Sequence, residues 1–115
     1  QGTVNIDLYD DRLNVNIGKT SFSAQSKGEI EIKSEKTQII LDDTQGIKIK
    51  SDVNLQIESD QDLSIKASNI NIDGTINTTL KSGVLNLESD QSSNIQSSGP
   101  MTIKGAIVNI NPWLD

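Results

Sequence analysis

An apolar–polar–apolar triplet recurs fourteen times along this chain, at steps of seven, eight or nine residues. In Leu55–Gln56–Ile57 and Leu63–Ser64–Ile65 it stands twice in succession, eight residues apart. The first positions run Val4, Leu13, Phe22, Ile30, Ile39, Ile47, Leu55, Leu63, Ile70, Thr78, Leu85, Ser93, Met101 and Val108. The third positions run Ile6, Val15, Ala24, Ile32, Leu41, Ile49, Ile57, Ile65, Ile72, Leu80, Leu87, Ile95, Ile103 and Ile110, all of them apolar. First positions depart from the rule only at Thr78 and Ser93, and among the middle positions only Ile40 is apolar. A chain that is 33% hydrophobic does not fill fourteen of fourteen spaced sites by composition alone.

Successive side chains of a strand point to opposite faces, so this alternation marks a short strand with one face turned from water. Ile, Val and Leu dominate the inward sites, as a pleated surface prefers. Between triplets lie Ser, Asp, Gly, Gln and Lys, which is the composition of corners. Glycines 28, 46, 74, 83, 99 and 105 fall beside triplets and never inside one, and Pro100 and Pro112 sit at triplet margins. No helical period is present. Many very short strands at fixed spacing predict an all-β repeat architecture rather than a sandwich. Gln38–Ile39–Ile40–Leu41 leaves its own register open, because it does not say which aliphatic residue is inside.

Composition narrows the function. The net charge is −6 and the basic residues do not cluster along the sequence, which argues against nucleic acid and anionic membrane surfaces as partners. Without cysteine there are no disulfides or thiolate metal sites, and without histidine the commonest general base is missing. No run has the length of a spanning helix, no signal peptide opens the chain, and a start at Gln1 reads as a fragment or a processed product.

One strip of three-residue strands has two open edges and a thin apolar stripe, too little to offset the ordering of a whole chain. Three identical chains wound about one axis remove both problems. Each octad forms one side of a triangular prism, and neighbouring chains stack above and below it. The expected fold is therefore an intertwined homotrimeric triple-stranded β-helix. Its core takes Ile32, Ile49, Leu55, Ile57, Leu63, Ile65, Ile72, Leu80, Leu87, Ile95 and Ile103.

The octads and the closing stretch GPMTIKGAIVNIN (99–111) resemble the triple-stranded β-helix spikes of contractile injection systems. These include the needle of the T4-type cell-puncturing device and the C-terminal part of type VI secretion VgrG proteins. The sequence departs from the needle's stricter valine–glycine octad, since its glycines are irregular and Ile replaces much of the Val. The resemblance implies residues 1–27 as N-terminal strands leading into the prism or linking it to an upstream OB-fold domain. Residues 28–111 would be the β-helix and 112–115 a C-terminal tail. It implies a structural membrane-piercing spike of a phage baseplate, pyocin-like particle or type VI apparatus. Tube and hub proteins would join through the N-terminal part, and the target cell envelope would be met on injection. Such a protein is made in the cytoplasm and translocated by sheath contraction. Some related phage spikes close their apex around an iron held by histidines, which this chain lacks. The resemblance therefore implies a separate PAAR-like cap on Ile107, Val108, Asn109, Ile110 and Asn111. Trp113 is either an anchor for that cap or a terminal residue packed over the core's end. The tail around it clasps the cap, folds back along the prism, or is a cloning remnant.

Two alternatives come from other classes. A trimeric tail-fibre or adhesin stalk shares the prism but needs exposed aromatics or loops, and Tyr9, Phe22 and Trp113 are the only aromatics. A single-chain β-helix carbohydrate-active enzyme needs Asp, Lys and Arg gathered on one face, while Arg12 is the only arginine. No catalytic, cofactor-binding or metal-ligating residue is expected. LDDTQG (41–46) and SDQD (59–62) bring carboxylates together without calcium-loop spacing, so they read as solvated corners. The same reading covers YDDR (9–12), where a hairpin turn is a second option. Thr78 and Ser93 would form axial rings of hydroxyls in a trimer, bonding one another, trapped water or an ion.

Overall fold

The computed structural model describes residues 3–111. Its regular structure is all-β: six strands and, among the described residues, no helix. The strands are β1 (Val4–Leu8), β2 (Arg12–Ile17), β3 (Thr20–Gln25), β4 (Glu29–Lys33), β5 (Thr37–Asp42) and β6 (Gly46–Ser51). They form one antiparallel sheet in sequence order, each pairing with the next. Residues 1–67 make one compact unit and 68–115 a second.

Short turns dictate this meander. Tyr9 N–H donates to Arg12 O at 2.9 Å, and the Arg12 guanidinium lies 4.5 Å from the Tyr9 ring centre, so YDDR is a hairpin turn. Gly18, with φ +54, and Lys19 join β2 to β3 in a two-residue loop, where a positive φ at the first position matches the strand twist. Between β4 and β5, Ser34 N–H donates to Thr37 O at 2.9 Å. Asp42 closes the last turn by accepting from the N–H groups of Thr44 at 2.8 Å and Gln45 at 3.2 Å. Those two backbone bonds hold its carboxyl below the ordinary range, so the turn is firmest above that range and loosens as pH falls through the lowered value.

Gly28 ends the β3–β4 turn at φ +90, and a Cβ there would run into the Asp43 side chain, whose N–H donates to Gly28 O at 3.0 Å. Gly28→Ala therefore meets both backbone strain and a clash. It should cost about 1–2 kcal/mol or more. Gly83→Ala, at an ordinary φ with nothing within 4 Å, should be close to neutral. Chemical denaturation of the two variants checks the difference.

The register lines the triplets up across strands. Ile6, Val15, Phe22, Ile32, Ile39 and Ile49 form one cross-strand row, and Leu8, Leu13, Ala24, Ile30, Leu41 and Ile47 the next. Residues directly opposite share a face, so the first and third positions of six triplets make one apolar face. Ile40 lies between Glu31 and Lys48 on the other face, which resolves the register of residues 38–41 without a slip. These strands are five or six residues long and pair within the chain, where triplets of three paired between chains were expected. The apolar face is not closed over: among the described residues none is buried, and Ile6, Ile32 and Ile49 are all exposed.

Backbone character changes after Ser51, inside the 28–111 stretch read as β-helix. From there to residue 111 the described chain has no assigned strand or helix. Eight bends interrupt it, beginning at residues 52, 60, 68, 75, 83, 90, 98 and 106, each seven or eight residues after the last. Triplets seven to thirteen each fall in an extended segment between bends, and the last, 108–110, runs into a further bend at 110–111. Asn111 there has φ +47, a left-handed conformation its short polar side chain tolerates.

Candidate functional site

Three features of this chain leave apolar side chains or backbone groups without cover from the chain itself. The first is the apolar sheet face. Past Ser51 the chain turns back toward it, with Asp52 N–H donating to Lys36 O at 2.8 Å and the Ser51 hydroxyl to Asn54 O at 2.9 Å. This brings Leu55 beside Ile32, Ile39 and Ile49 around a hollow of about 280 Å³. Three of the expected core residues, Ile32, Ile49 and Leu55, are thus gathered in one place. The remaining ones, from Ile57 to Ile103, stand exposed on the chain.

The second feature is the backbone itself. Among the described residues no backbone–backbone hydrogen bond involves a residue beyond Asp52. The backbone groups of eight extended segments therefore lack a backbone partner within the chain, although their side chains alternate as those of a one-sided strand do. An apolar stripe with unpaired N–H and C=O groups beside it can accept strands from outside.

Serines hold the corners between these segments. The Ser59 hydroxyl accepts from Gln61 N–H at 3.3 Å, Ser82 donates to Val84 O at 2.8 Å and Ser89 to Ser92 O at 2.7 Å. Ser97 both donates to Pro100 O at 3.4 Å and accepts from Gly99 N–H at 3.3 Å. Such local bonds offer the backbone a turn in place of a longer strand. The sequence signal was a serine at the same octad position, four residues before Leu55, Leu63, Ser93 and Met101 and three before Leu85. Reading corners by composition alone passed over it.

The third feature is the expected tip. Ile107, Val108, Asn109, Ile110 and Asn111 are all exposed, with Ile110 78% accessible and Val108 49%. Trp113 and the rest of the 112–115 tail lie outside the described residues. Thr78 and Ser93 are exposed too, and Gly74 packs so close to Thr78 that a Cβ there would strike its Oγ1. Of the acidic pair in LDDTQG, the Asp42 carboxylate is taken up by the turn, while Asp43 bonds Gly28 O through its backbone N–H.

No protein-family model matches the chain, and no curated protein matches it.

Proposed function

We propose that this chain is the shaft of a membrane-piercing central spike in a contractile injection machine, working as a homotrimeric triple-stranded β-helix with a PAAR-like cap. The observation that carries the reading is the run of extended segments from residue 54 to residue 110. Bends seven or eight residues apart interrupt it, no backbone pairing is made within the chain, and no side chain is buried. A chain of this kind gains its core and its hydrogen bonds only from other copies. Cyclic symmetry about one axis supplies them to every copy alike.

The work is then mechanical. A ladder continuous between chains resists bending, the acidic exterior keeps the rod soluble, and no residue acts as a catalyst. The resemblance of the octads and of GPMTIKGAIVNIN to spike proteins supports the class of machine; the unpaired backbone supports a need for partner chains. Tube and hub proteins would join at the N-terminal side, and the uncovered apolar tops of Val108 and Ile110 suit a cap.

Light scattering should give three chains per particle, with no folded monomer at micromolar concentration. Deleting residues 107–115 should leave that trimer intact and abolish binding of the candidate cap from the same gene cluster. A folded monomer sinks the reading. Equal cap binding by intact and truncated trimers moves the contact away from the tip, and a trimer that binds no cap in either form favours a fibre stalk.

A further inference from the structure

We infer that the sheet carries a phosphate-class oxyanion site in the cleft at its β4–β5 turn, a site separate from the spike reading. The fold segregates charge along the strands. At the end formed by the Gly18–Lys19 turn, the 34–36 turn and the end of β6, four lysines (19, 33, 36 and 50) face two carboxylates, Glu35 and Asp52. At the opposite end five carboxylates, Asp10, Asp11, Glu29, Asp42 and Asp43, face only Arg12 and Lys27. In a chain of net charge −6 the lysine end is the exception. Along the sequence these lysines are scattered, and the turns bring them together.

The cleft has a volume of about 490 Å³. Both of its carboxylates are engaged, Glu35 with Lys19 at 3.1 Å and Asp52 with Lys50 at 3.9 Å. Among the described residues no carboxylate lies within ion-pair distance of Lys33 or Lys36. Lys33 and Lys50 flank Gln38 in one cross-strand row, so their backbones stand two strand spacings apart, about 10 Å. That gap lets the Lys33 ammonium and that of Lys50, which meets Asp52 only at 3.9 Å and in water, close on one anion between them. The hydroxyls of Ser34 and Thr37 bond each other at 2.6 Å on the cleft wall, which leaves one O–H to donate to a phosphate oxygen. Lysine serves such a ligand as a point charge and needs no planar fork. The chemistry is that of a multiply charged phosphate, either free in solution or carried on a lipid headgroup.

The test titrates the isotope-labelled full chain at low salt with inorganic pyrophosphate, and separately with phosphatidylcholine vesicles containing phosphatidic acid. Saturable amide shifts confined to residues 33–37 and 50, or vesicle binding that broadens the same signals, are expected; which probe acts distinguishes the two sources. Lys33→Ala/Lys36→Ala should raise the half-saturating concentration about tenfold or more. Lys27→Ala/Lys66→Ala, which removes the same charge elsewhere, should change it less than about twofold. Both lysine pairs are exposed, so far-UV circular dichroism should be unchanged by either double substitution. Equal losses in the two double variants, unsaturable shifts, or equal displacement by a polyglutamate peptide would overturn the assignment. None of these outcomes depends on how many chains the particle holds.

Discussion

Ile57→Asp or Ile65→Asp is expected to abolish assembly, while Gln56→Asp and Ser64→Asp leave it close to intact. Within one chain the four positions are alike. Ile57 is 68% accessible and Ile65 72%, Gln56 and Ser64 are exposed too, and none belongs to a paired strand. Any large difference between the two kinds of site must come from other copies covering one of them. If three chains close over the aliphatic positions, each aspartate brings three carboxylates to a dry axis, at several kcal/mol of desolvation per ion. An outward aspartate stays in water and costs little. Sedimentation and light scattering of the four variants measure this, and equal effects at inward and outward sites would show that the stripe is not an interface.

A second large effect is expected in amide hydrogen exchange. In the single chain the N–H groups of residues 54–111 have no backbone acceptor among the described residues, so they should exchange nearly as fast as in an unfolded peptide. In an assembled ladder the N–H groups of each strand are donated alternately to the chains above and below, and their exchange then waits for the ladder to open. A ladder stable by about 5 kcal/mol slows that exchange by more than roughly a thousandfold. Strands β2 to β5 are paired within the chain and serve as an internal reference. The self-assembly reading fails if β2 to β5 are protected at micromolar concentration while residues 54–110 exchange freely.

Much of the chain was legible in the spacing of its aliphatic residues, and the particular failures share a cause. A period of two tells which face a residue occupies but not which strand lies beside it. Ile39 and Leu41 therefore fall on the apolar face as their triplet requires, while the pairing of β4 with β5 within one chain was not foreseen. Pairing within the chain is chosen by its turns: the Ser34–Thr37 backbone bond between β4 and β5, Gly18 and Gly28 at positive φ, and the Asp42 carboxylate bonded to Thr44 and Gln45. The tight hairpin signals lie between residues 9 and 46, and beyond Ser51 serine-held bends take their place. The lysine cleft was illegible for a related reason. Lys19 and Lys50 stand 31 positions apart, and only the stacking of alternate turns at one end of a meander makes them neighbours.

The meander also has a parity. Six antiparallel strands are an even number, so a path that starts up the sheet at Val4 comes back down to finish at Ser51 on the side where it began. Hairpins are thus its unit of inheritance. Adding or losing two strands together keeps both ends of the meander on one rim. Adding or losing a single strand would carry Ser51 to the far rim. Natural variants of this segment should therefore differ in length by whole hairpins, roughly 15 to 18 residues at a time for strands of five or six joined by short loops.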